Sequence, residues 1–133
     1  MQYQLHDCEV DSITFEDNKI IFSFPNGFYV MDDNGQEIMP PRKKLVFTVD
    51  KDNFPNDPVE SFVTFRRINR RMNGWKEISF KQFSSLFKYG NMDIHDEYDS
   101  KLTNWKMFQL NACTNWSNIE LFITDILDIE FLE

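Results

Sequence analysis

"IIFSFPNGFYVMDDNGQEI", Ile20 to Ile38, carries two Asn-Gly pairs, Asn26-Gly27 and Asn34-Gly35. An Asn-Gly pair suits the type I′ hairpin turn, because both central residues of that turn need φ > 0. Before the first pair, Ile20, Phe22 and Phe24 alternate along one face, the period of a half-buried strand. Aromatic and β-branched residues follow it, in "FYVM". A third pair, Asn73-Gly74, stands between strand-like residues in "RRINRRMNGWKEI". The chain has only four glycines, so three of them spent in such pairs predict three tight hairpins and an antiparallel fold.

The same alternation extends outward. Leu45, Phe47 and Val49 form one stripe, and Ile119, Leu121 and Ile123 another. Val63 and Phe65 oppose Phe62 and Thr64. In Trp105 to Ala112 the apolar period slips between Met107 and Phe108, which predicts a bulged strand. "VDSITF" (Val10 to Phe15) and "ILDIEF" (Ile126 to Phe131) share a similar slip, so the first and last strands are expected to play matching parts. "MPPRKK" and "DKDNFPNDP" hold two prolines each and predict loops. The fourth glycine, Gly90, ends "SFKQFSSLFKYGN". Ser79 and Gln82 there form a capping-box pattern, and Phe80, Phe83, Leu86 and Phe87 recur at helical spacing. One short helix is expected over about 80–89, capped by Gly90 in the αL conformation and covering a sheet face or plugging one end. The expected fold is mainly β: an antiparallel sandwich or strongly twisted sheet of about eight to ten strands, with 1–133 as a single domain.

Composition narrows the functions. Fourteen Phe, four Tyr and three Trp argue against disorder. A net charge of −8 disfavours nucleic acid and anionic membranes and favours a basic protein partner. Cys8 and Cys113 show no CxxC spacing, which predicts two reduced, buried thiols in a reducing compartment. "MQYQLHDCEV" has no basic or apolar signal region, and no apolar run approaches the length of a membrane span. The expectation is a soluble cytoplasmic protein without a cofactor.

Four stretches invite chemical readings. His6-Asp7-Cys8 would be a thiolate beside a histidine. On a strand, however, His6 and Cys8 would share a face with Val10 while Asp7 points away, so a buried Cys with two backbone-bonding neighbours is favoured. His95-Asp96 supplies the second histidine, and His6 with His95 and nearby carboxylates could hold a metal or move protons. Neither pair has HExxH spacing. Arg66, Arg67, Arg70 and Arg71, followed by Trp75 and Lys76, could bind a phosphate backbone. On a hairpin, Arg66 and Arg70 would take one face and Arg67 and Arg71 the other, which splits the patch. "DKDNFPND" fails as an EF-hand loop, because Phe54 and Pro55 occupy its fifth and sixth positions. Gly-rich phosphate loops and GxSxG are absent.

"LHDCEVDSITFEDNKIIFSFPNGFYV" resembles a group of small uncharacterised bacterial domains that open with a His-Asp-Cys/Ser-x-hydrophobic motif and a strand hairpin. The matching residues are His6, Asp7, Cys8 and Val10, then "NKIIFSF"; "NIELFITDILDIEFLE" is similar to the closing strands of that group. The resemblance covers about a third of the chain. It implies an all-β fold and, because some members are held to be immunity proteins of toxin systems, toxin neutralisation. It carries over no catalytic residue. The leading expectation is thus a non-enzymatic protein-binding module, an immunity-like inhibitor of a basic toxin. The alternatives are a small enzyme or metal protein using His6 and His95, and a nucleic-acid binder using the Arg66–Lys76 hairpin.

Overall fold

Period-two alternation builds eleven strands in the structure, a computed structural model that describes residues 2–69, 71–100, 104–113 and 117–133. They are β1 (Gln2–Gln4), β2 (Glu9–Val10), β3 (Ser12–Glu16), β4 (Lys19–Met31), β5 (Glu37–Val49), β6 (Val63–Ile68), β7 (Lys76–Ile78), β8 (Met92–Ser100), β9 (Trp105–Asn111), β10 (Asn118–Ile123) and β11 (Ile126–Leu132). All pairings are antiparallel, as the turn count predicts, and three strands of two or three residues carry the total past the expected number. One sheet runs β1-β4-β5-β11 with β3 also on β4; the other runs β2-β8-β9-β10-β6-β7. The two sheets share one core. Phe22 and Phe47 of the first meet Phe108 of the second, with ring centroids 5.0 and 5.7 Å apart. All three rings are fully buried.

The Asn-Gly pairs do not all turn the chain. Asn26-Gly27 lies inside β4, a strand of 13 residues, and marks a bulge where the β4–β5 register shifts between Ser23 and Phe28. Gly27 has φ 77° there, and a Cβ on it would sit 3.2 Å from the Arg42 carbonyl. "MPPRKK" runs inside β5 opposite this bulge rather than forming a loop. Proline lacks the N–H a ladder needs, so Pro25, Pro40 and Pro41 are tolerated where that ladder is already interrupted. Asn34-Gly35 does close the β4–β5 hairpin. Only Gly35 has positive φ (78°), and the Gly35 N–H donates to the Asp32 carbonyl at 3.0 Å. That is a three-residue loop ending in a left-handed glycine, not a type I′ turn. Asn73-Gly74 sits in the wider loop between β6 and β7, whose last described pair is Arg67 with Lys76. The two-residue hairpin is Asp17-Asn18 between β3 and β4, with Asp17 at φ 55°. Short polar Asp tolerates that region, so a glycine-based reading misses it.

The echoed segments do play matching parts, since β3 flanks β4 and β11 flanks β5 in the same sheet. Their slips differ. In "ILDIEF" the slip is a bulge, with the register shifting between Ile126 and Asp128. In "VDSITF" the chain changes sheets: Val10 pairs with β8, and Ser12 already pairs with β4. Trp105 to Asn111 is a regular strand against β10, and the bulge of this region falls in β8 at His95. β9 is simply apolar on both faces at one end.

The helical segment matches its expected limits in two parts, α1 (Phe80–Ser85) and a 3₁₀ turn (Leu86–Tyr89). The capping box is complete: the Gln82 N–H donates to Ser79 Oγ at 3.1 Å, and the Ser79 N–H donates to Gln82 Oε1 at 2.8 Å. Phe80 packs on Phe15 of β3 and Phe65 of β6, at 4.5 and 5.9 Å, so the helix bridges the two sheets at one end. Gly90 ends it at φ 134°, ψ 176°, outside αL but in a region open chiefly to glycine. No described helix is long and apolar enough to cross a membrane.

Candidate functional site on the outer face of the six-stranded sheet

Strand register sorts the outward side chains of this sheet into three rows. Along the first, Asp93 of β8 faces Asn111 of β9, which faces Asn118 of β10. Along the second, Asp96, Gln109, Glu120, Arg66 and Glu77 run from β8 to β7. The third is more apolar: Tyr98, Met107, Phe122 and Thr64. Inward neighbours such as Phe108, Leu110, Ile119 and Leu121 are fully buried, so the outward identity of each row follows from alternation. The β8 bulge adds His95 beside Asp96.

The second row contains a nearly buried charge. Glu120 is 8% exposed, and its carboxylate accepts a hydrogen bond from Arg66 at 2.7 Å. Arg66 in turn lies 5.8 Å from the Trp75 ring, a cation–π contact that brings the β6–β7 loop over the sheet. Between that indole and the first row is a pocket of about 380 Å³, lined by Trp75, His95, Gln109, Asn111 and Asn118.

His6-Asp7-Cys8 is a turn, not a strand. The Cys8 N–H donates to the Leu5 carbonyl at 2.9 Å, and Asp7 has φ 63°. The turn brings the His6 and Asp7 side chains together and sends the Cys8 thiol elsewhere. His6 donates from Nδ1 to the His95 carbonyl at 2.7 Å and has Nε2 3.3 Å from Asp7. The Cys8 thiol turns to the Gln4 carbonyl, and burial, then the Asp7 charge, push its pKa up. A thiol held protonated is not an activated nucleophile. Cys113 is exposed rather than buried, and its Sγ donates to the Asn91 carbonyl at 3.1 Å.

The two histidines do converge, with ring centroids 6.0 Å apart. Among the described residues, however, no group of three or more His, Cys, Asp or Glu side chains could hold a metal ion. Around these rings the surface is acidic. Burial, then Glu9, then Asp7 push the Asp93 carboxyl above its ordinary value. Glu9 accepts hydrogen bonds from the Asn26 and Asn91 amides, yet Glu9, Asp93 and Asp96 have no ion-pair partner among the described residues.

The arginines are split. Arg66 is outward on Glu120, whereas Arg67 points the other way and donates to buried Ser117 at 2.8 and 3.0 Å. β6 ends at Ile68, so Arg71 lies in the loop rather than on a strand face, and Arg70 lies outside the described residues.

A second polar group sits at the open end of the sandwich. Tyr3 Oη and Lys106 Nζ both donate to Glu97 Oε1, and the ammonium lies 5.3 Å from the Tyr3 ring. Burial, then the Glu97 and Asp99 charges and the Glu97 hydrogen bond, raise the Tyr3 pKa far above its ordinary 10.0. The unfolded chain thus loses this proton at lower pH than the folded one. The resulting stability is complete below pH 10.0 and declines as pH rises beyond it. Tyr3→Phe is expected to flatten the alkaline limb of a stability-against-pH curve measured by urea unfolding; an unchanged limb contradicts this.

His6, His95 and Trp75 stand out in the sequence, whereas Gln109, Asn111, Asn118 and Glu120 do not. Their signal was present in "WKMFQLN" and "NIELF", as the polar positions opposite each buried one. Comparison with protein-family models, with curated proteins and with solved structures returned no match.

Proposed function

We propose that the protein is a non-enzymatic binding module that docks a cationic protein along its β2–β8 rim, in its specific form an immunity-like inhibitor of a basic toxin. One observation carries this reading: Asp93 shares this rim with Glu9 and Asp7, burial and then their two charges raise its carboxyl, and among the described residues Glu9 and Asp93 have no ion-pair partner while Asp7 has only the titratable His6. A partner that brings Lys or Arg side chains relieves that repulsion on binding, which gives charge-matched association. The chain's −8 net charge extends the attraction to longer range. The short resemblance around His6-Asp7-Cys8 supports the immunity-like form.

The test is a binding and protection assay against the product of a neighbouring gene. Asp7→Lys with Asp93→Lys is expected to weaken binding at least about tenfold, with a steep loss in salt. Absence of binding and protection, or affinity indifferent to both substitutions, overturns the proposal.

A further inference from the structure

We infer that the pocket beneath Trp75 is a site for a neutral sugar ring, next to the acidic rim and chemically distinct from it. Among the described residues its lining is an indole, an imidazole and three primary amides, with no lysine, arginine or carboxylate. Gln109, Asn111 and Asn118 make no side-chain hydrogen bond with another described residue. Each amide offers two donors and an acceptor, so the lining presents mixed hydrogen-bonding capacity without a fixed charge. Sugar hydroxyls, which both donate and accept, match that. Asn111 and Asn118 are direct cross-strand partners, and Gln109 is two residues along β9, so the three are spread over about 5–8 Å rather than aligned on one edge. That spread suits hydroxyls placed around a ring better than the single edge of a nucleobase.

Trp75 is 39% exposed and held by Arg66, which is itself tied to Glu120. Indole gives the apolar face of a sugar a flat surface, and its anchoring limits the entropy lost on binding. The volume, about 380 Å³, is near the lower end for ligand pockets and fits one or two rings. Asp93 and Asp96 flank the amides in the strand register and repel phosphates, which disfavours nucleotides.

The test is titration of the full chain with neutral hexoses, N-acetylhexosamines and their disaccharides, followed by tryptophan fluorescence and amide NMR shifts. At least one sugar is expected to saturate with Kd near or below about 1 mM. Trp75→Ala and Asn118→Ala are expected to weaken it about tenfold or more at unchanged Tm, while Tyr29→Phe on the other sheet leaves it unchanged. No saturable response to any sugar at about 10 mM overturns the inference. So does binding that survives both pocket substitutions, and so does a response to nucleosides with none to sugars.

Discussion

Phe22→Ala is expected to lower the unfolding free energy by about 3–5 kcal/mol, a large part of the roughly 5–15 kcal/mol of an ordinary domain. Phe22 sits at the centre of the core, fully buried, with the rings of Phe24, Phe47 and Phe108 at 6.4, 5.5 and 5.0 Å. Removing its ring forfeits contacts to both sheets at once, and a strand locked between β3 and β5 has little freedom to collapse into the void. Phe122→Ala makes the contrast. Its ring is outward and only partly buried, tilted against Trp105 with centroids 5.2 Å apart, so about 1 kcal/mol is expected. Urea unfolding measures both; equal losses would mean that the assignment of inner and outer faces is wrong.

Lys106→Met is expected to cost about 3 kcal/mol. Lys106 follows the inward parity of Phe108 and Leu110, yet stands at the end of the sandwich where the core opens. Its side chain is 11% exposed and that of Glu97 21%, with Nζ–Oε1 at 2.5 Å. Deleting the cation leaves a largely buried carboxylate with the Tyr3 hydroxyl as its remaining donor among the described residues. The penalty is therefore the desolvation of an uncompensated charge more than the lost attraction. Adding Glu97→Gln is expected to recover most of it, because the orphaned charge disappears. A double variant as unstable as the sum of the singles contradicts that account.

These two sites divide what was legible from sequence. Phe22 announces itself: an alternating stripe of large apolar residues can only be the inner face of a strand. The capping box of Ser79 and Gln82 is likewise local, because both hydrogen bonds close within three residues, and the helix forms where expected. Lys106 is silent in sequence, since a charged residue at an inward position is acceptable only if a partner arrives from another strand. The Asn-Gly pairs misled for a related reason. Positive φ serves a turn or a bulge equally well, and Asn26-Gly27 became a bulge because β5 runs on beside it.

The candidate sites follow the same division. That His6 and Cys8 share no catalytic geometry depends on the left-handed Asp7, which converts an expected strand into a turn. That His6 meets His95, 89 positions away, depends on the turn docking against the β8 bulge. What composition and periodicity settled was the class of fold, the acidic character and the identity of the inner faces, because alternation and charge are properties of the chain. Which polar residues face one another was settled by strand register, because a row across a sheet joins residues that local sequence never compares. The pocket under Trp75 exists only because a loop from one end of the sheet folds over amides contributed by β9 and β10.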